Sequence, residues 1–253
     1  IHWLKVYQLP QASHVSRGKP IVNLLPLEEG ERINAVLPIR EYDADSFVFM
    51  ATSSGTVKKT ALTNFSRPRV SGIKAIELRN SDRLVDVVIT DGSRHIMLLS
   101  NAGKAIRFSE TDVREMGRTA AGVRGMRLGP DQRVISMIMA DDQGSILTAT
   151  EHGFGKRTPV AEYPVKGRGG QGVIAIDKAM RGGPLVASFP VDIADQIMLA
   201  TSTGQSIRVP VEGISFRSRA AGGVKVFNTG AGEQVVSVAW IAEQGDEDEE
   251  PAQ

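Results

Sequence analysis

The chain has 253 residues, 41% of them hydrophobic and 23% charged, with aromatics at 5% and no cysteine. That length can bury one large core or several small ones, and the missing thiols exclude disulfides, thiolate metal sites and cysteine nucleophiles while suiting a cytoplasmic setting. A net charge of +1 conceals a segregation: residues 243–253 hold six acids and no Lys or Arg, leaving 30 basic against 23 acidic residues, a net +7, over residues 1–242.

Taken in chain order, the predicted elements repeat about every fifty residues. Residues 1–39 read as a partial copy that lacks its first strand; it has Gly18 and a closing apolar strand at Ile33–Ile39. The opening Ile1-His2-Trp3-Leu4-Lys5 is no signal peptide, and starting in mid-pattern it reads as a fragment. The next copy has a hairpin pattern at Val48–Lys59 turning at Gly55, a second glycine at Gly72 and an apolar strand at Leu84–Ile89. The hairpin recurs at Ile96–Arg107, Ile146–Arg157 and Ile197–Arg208, turning at Gly103, Gly153 and Gly204. The second glycine recurs at Gly122, Gly172 and Gly222, and the closing strand at Val134–Met139, Leu185–Phe189 and Val235–Ile241. An apolar run, a polar turn closed by Gly and a second run make a β-hairpin. Each unit therefore offers four strands, and four-stranded units at this period predict an all-β, propeller-like fold. The blades fall at about residues 1–40, 45–90, 94–140, 144–191 and 195–241 of a folded domain spanning 1–242. Pro20, Pro159 and Pro210 lie in or beside predicted strands, where a missing N–H confines them to edges or bulges. The tail at 243–253 is too poor in apolar residues to fold and reads as disordered, either a solubility feature or an internal competitor for a polyanion site.

The charges keep register with the repeat. Four residues past each hairpin glycine stand Lys59, Arg107, Arg157 and Arg208, with Trp3 in the partial copy; Lys58, Lys104 and Lys156 share these hairpins. The loop before each second glycine is basic too: Arg17; Arg67 and Arg69; Arg114 and Arg118; Lys166 and Arg168; Arg217 and Arg219. Beyond that glycine come Lys19, Lys74, Arg124 with Arg127, and Lys225. Charges at one position of a repeated blade share a height and a radius, so they predict a belt. Edge protection needs charge but not one sign; a belt of one sign points to an anionic partner. Curving 20–30 bp of duplex by 40–90° costs about 1–6 kcal/mol, which several basic clusters together can offset. Few aromatics leave no stacking platform for single strands, and no recognition helix is available for base readout. The expected partner is duplex DNA held through its phosphates, the alternative a propeller that docks an acidic protein.

These residues are similar to the C-terminal domain of the A subunit of bacterial DNA gyrase. The resemblance rests on Lys5–Pro10 (KVYQLP), Gly18–Leu27 (GKPIVNLLPL), Phe49–Thr52 (FMAT), Gly55–Thr60 (GTVKKT), Gly122–Gly125 (GVRG) and Gly155–Thr158 (GKRT), and it runs from residue 1 to about 242. It implies a β-pinwheel that wraps duplex DNA on a positive perimeter, so that ATP-driven strand passage yields negative supercoils. It implies partners as well: the B subunit, with the rest of the A subunit, in an A2B2 heterotetramer whose catalytic tyrosine, ATP and Mg belong to other parts. The isolated domain is expected to be a monomer without a cofactor, and the C-terminal domain of topoisomerase IV is the near alternative. The family's basic box, Gln-Arg-Arg-Gly-Gly-Lys-Gly, would precede residue 1; Lys166–Gly172 (KGRGGQG) echoes it at Arg168, Gly169, Gly170 and Gly172.

Other chemistry has little support. His2, His14, His95 and His152 lack metal-ligand spacing. Gly167, Gly169 and Gly172 fit GxGxxG, but in a loop before a strand rather than between strand and helix, so no dinucleotide site is expected. No catalytic constellation is legible, and no apolar run approaches the roughly 20 residues of a membrane helix.

Overall fold

Apolar runs joined through a positive-φ glycine fold as expected into hairpins. In the computed structural model, which describes residues 1–13, 15–79, 82–140, 143–177 and 182–241, strand β1 (Phe47–Thr52) turns at Gly55 into β2 (Thr56–Ala61), with Phe49 opposite Lys59. The acidic tail and His14 lie outside the described residues. Strand β3 (Leu84–Thr90) returns along the far side of β1. The pattern recurs in β4 (His95–Ser100), β5 (Lys104–Ser109) and β7 (Val134–Met139), then in β8 (Ser145–Thr150), β9 (Phe154–Pro159) and β11 (Leu185–Val191). It closes with β12 (Gln196–Thr201), β13 (Ser206–Pro210) and β15 (Val235–Ile241).

The fourth strand of a sheet is not where contiguous units would put it. Strand β6 (Val123–Arg124) lies within the third repeat yet pairs with β2, in the sheet β3-β1-β2-β6. Likewise β10 (Val173–Ile174) pairs with β5, and β14 (Val224–Lys225) with β9. Each repeat thus sends an arm back onto the sheet before it. The last sheet, β13-β12-β15, has three strands among the described residues, and Pro210 closes its free edge. The same exchange ties the second repeat to the first: Ile1 and Ile73 trade two backbone bonds, of 2.8 and 3.0 Å.

The partial copy departs from expectation. Ile33–Ile39 is not a strand, because no counterpart of β1 occurs among the described residues of 1–46 to pair with it. Pro20 leads into a short 3-10 turn at Ile21–Asn23.

Successive side chains of a strand point to opposite faces, and here both faces are covered, so the central strands read as unbroken apolar runs. Phe49 and Ala51 pack against Ile96, Leu98 and Phe108 of the next sheet. Met97 and Leu99 pack against Ile146 and Tyr163, and Leu147 against Ile197, Leu199 and Val211. Val48 and Met50 face the other way, toward Trp3 and Tyr42, whose indole N–H and hydroxyl hydrogen-bond at 2.8 Å. Each fully buried Phe, Leu or Met contributes about 1.5–3 kcal/mol relative to an exposed one. Since β3, β7, β11 and β15 contact one another in succession, they form the hub, and the arms β6, β10 and β14 form the perimeter.

Candidate nucleic-acid interface

The arm glycine follows from the exchange. A Cβ on Gly172 would sit 2.3 Å from the Ala105 carbonyl oxygen, and one on Gly122 2.6 Å from that of Val57, both at positive φ. Each arm then seats two amide N–H groups on the preceding hairpin glycine: Gly125 and Met126 on Gly55, Ala175 and Ile176 on Gly103, Val226 and Phe227 on Gly153. In the last repeat it is Gly223, not Gly222, that lies against Gly155 and holds this place.

That geometry corrects the reading of the hairpin column. Lys59, Arg107 and Arg157 are nearly buried, at 8%, 4% and 5% exposure, rather than lining an outer belt. They share one radius, as register requires, but the next repeat's arm runs over them, with Glu115, Val165 and Phe216 bridged to them in turn. Their side chains reach the 3-10 turn of the following sheet. Lys59 Nζ donates to the Glu110 carbonyl at 3.1 Å, Arg107 to those of Tyr163 and Ala140, and Arg157 Nε to that of Ile214 at 2.6 Å. Lys59 also lies over the Phe47 ring, and Arg157 over Phe216. These cations join blade to blade. Arg208 alone of the column is exposed, because no further arm covers β13.

Lys58 and Lys156 are wholly buried as well. Lys58 Nζ donates to the Ala75 and Arg118 carbonyls, and Lys156 Nζ to those of Ser218, Arg219 and Ala221 at 2.7 to 2.9 Å. Burial pulls both ammonium groups down to about 8; the Arg118 charge adds to this at Lys58, while at Lys156 Glu162 opposes it and Arg219 adds. These five residues hold arms from beneath and leave the surface set.

The other predicted residues lie outward. Arg17 and Lys19, then Arg67, Arg69 and Lys74, are exposed, as are Arg124, Lys166, Arg168, Arg217 and Lys225; Lys104, Arg118 and Arg219 are half-buried. Arg114 and Arg127 are exposed on the same arm as Arg124. Among the described residues, Arg124, Lys166 and Arg217 engage no side-chain hydrogen bond or ion pair, so their charges are available. Arg168 and Arg219 are engaged, donating to the Arg124 and Ile174 carbonyls of the neighbouring arm. Lys225 Nζ donates to the His152 carbonyl and lies over Phe154. Ile174 is the break in the series, an apolar residue where the other arms carry Lys74, Arg124 and Lys225. Exposed Lys and Arg thus recur on arms at the perimeter, and no described group of three His, Asp or Glu could hold a metal. No helix among the described residues is long and apolar enough to cross a membrane.

Comparison with known proteins agrees with the fold. A family model described as the DNA gyrase C-terminal domain, beta-propeller, matches residues 3–40, 46–91, 94–141, 144–189 and 195–239. The DNA gyrase A protein of Salmonella typhimurium is 52% identical over 249 residues, and that of Escherichia coli 48%, each over 98% of this chain. The chain spans about 28% of the length of those relatives. Among solved structures, a C-terminal domain of DNA topoisomerase IV aligns with TM-score 0.85 and 28% identity, covering 93% of this chain and 74% of that one. A DNA gyrase A C-terminal domain aligns with TM-score 0.75 over 88% of this chain and 75% of its own, and at 24% identity it shows the shared fold.

Proposed function

The chain belongs to the DNA gyrase C-terminal domain family, and from that premise we propose that it holds and bends duplex DNA along the arms of its perimeter, serving the negative supercoiling of a bacterial gyrase. The observation that carries this reading is the recurrence of exposed, unengaged Lys and Arg on successive arms while the buried cations are spent inside. Each charge at a phosphate releases counterions, so affinity is set by salt and hardly by sequence. Clusters spaced around a curved rim offset a bend that a single cluster offsets poorly. The domain, at residues 1–242, supplies no catalytic group; strand cleavage, ATP and Mg belong to the B subunit or to the rest of the A subunit, in an A2B2 assembly in the cytoplasm. A bent segment crossing with fixed sign gives strand passage its direction. The near structural match to a topoisomerase IV domain keeps that enzyme as the second reading, but 52% identity to a gyrase relative over 98% of the chain favours gyrase.

The test replaces Arg124, Lys166 and Arg217 together by Ala. Each lost phosphate contact lowers the slope of log affinity against log salt by about one, so the triple variant loses about three. Circularly permuted DNA fragments should show a bend with the parent chain and a smaller one with the variant. An unchanged slope rejects the perimeter as the contact surface, and binding without any bend favours a general polyanion-binding propeller.

A further inference from the structure

Two of the rim arginines point sideways along the rim. Arg168 lies four residues before Gly172, and Arg219 four before Gly223, so they hold one place in successive arms. Arg168 Nε donates to the Asp112 carbonyl at 2.9 Å, on the turn that follows β5, and one of its terminal nitrogens donates to the Arg124 carbonyl at 2.9 Å. Arg124 belongs to the preceding arm, paired with β2. Arg219 does the same one blade further on, donating to the carbonyl of Ile174, in the arm paired with β5. Backbone bonds run alongside: Gly169 N to the Gly125 carbonyl at 2.6 Å, Arg127 N to that of Gly170 at 2.8 Å, and Asp177 N to that of Ala221 at 3.3 Å.

Arg219 is held from other directions too. Its own N–H donates to a Glu162 carboxylate oxygen at 2.6 Å, and its carbonyl accepts from Lys156 Nζ at 2.7 Å. A planar, five-donor fork can serve two carbonyls at fixed angles, whereas a lysine ammonium on a flexible stem serves them without fixing an angle. Residue type, register and the carbonyl on the preceding arm agree in both blades, and Arg168 adds the Asp112 carbonyl.

We propose that Arg168 and Arg219 are inter-arm fasteners that set the angle between neighbouring blades, and hence the curvature of the rim, rather than simple phosphate ligands. The inference rests on the DNA-bending reading above for its consequence, though not for its geometry. A rim that bends DNA must keep its arms at set separations against the restoring force of the duplex. With the fasteners loosened, the arms keep their phosphate-binding charges but follow the DNA instead of imposing a path on it.

The test uses charge-conserving substitution. The 253-residue chain has no cysteine, so Thr63→Cys and Ala161→Cys, both exposed, place one pair of spin labels across the blades that the two fasteners link. In R168K/R219K the distance distribution between the labels broadens, the DNA bend falls by a third or more, and affinity stays within about threefold with its salt slope unchanged. The R168K and R219K single variants, each releasing one fastener, serve if the pair does not fold. The proposal is overturned if R168K/R219K keeps both the label distances and the bend, whether or not R168M/R219M loses about two units of salt slope; that loss would identify ordinary phosphate ligands. If the parent chain fails to bind DNA, the label distances still decide on the fasteners, and the proposed function is what has failed.

Discussion

Lys156 shows how little a residue's type says about its surroundings. It stands in a run, Gly155-Lys156-Arg157, that reads as surface charge, yet its ammonium is buried among three backbone carbonyls. Keeping a charge there has a cost with a definite dependence on pH. The folded Lys58 and Lys156 titrate near 8 and ordinary lysines near 10.5, so between those values the unfolded chain holds more protons. Stability therefore increases as pH rises through that window, and below about 8 the full cost stands. Tyr163 acts oppositely: burial pushes its phenol up to about 12, so above about pH 10 the unfolded chain loses that proton first and stability falls. Urea midpoints measured from pH 7 to 11.5 should peak between about pH 10 and 11. In K58M/K156M the rise from pH 8 should vanish while the fall above 10 persists.

At the level of the element, the arm decides most. A strand of two residues would be marginal alone; it holds because its glycine lies against the preceding hairpin and two further N–H groups close on the hairpin carbonyl. Gly172→Ala meets both a positive φ and a carbonyl at 2.3 Å. It should destabilise by on the order of 2–3 kcal/mol in chemical denaturation. Gly18 holds the same place in the sequence pattern, yet it has ordinary φ and open space around it. Gly18→Ala should change stability by no more than about 0.5 kcal/mol. The two substitutions look alike in the repeat and differ only because one arm is docked.

At the scale of the whole molecule, strand exchange makes the rim continuous, since every arm belongs to one repeat by sequence and to another by pairing. The acidic tail, outside the described residues, enters through its charge alone. Removing residues 243–253 takes six acids from a chain of net charge +1, and should tighten DNA binding at low salt, with the gain fading as salt screens it. Titrations of the parent and truncated chains at two salt concentrations check this. The hairpins, the fifty-residue period, the closing strands of the last four repeats and the family were legible in the sequence because local patterns specify them: apolar runs, turn glycines and charges in register; Ile33–Ile39 has the same pattern but is not a strand. Three things were not legible: that the fourth strand pairs with the preceding sheet, that Lys59, Arg107 and Arg157 lie beneath the next arm, and that Arg168 and Arg219 turn toward a neighbouring arm. A repeat places equivalent residues at equal radius, but whether that radius is surface or interior depends on what a distant segment lays over it, and only the tertiary structure decides that.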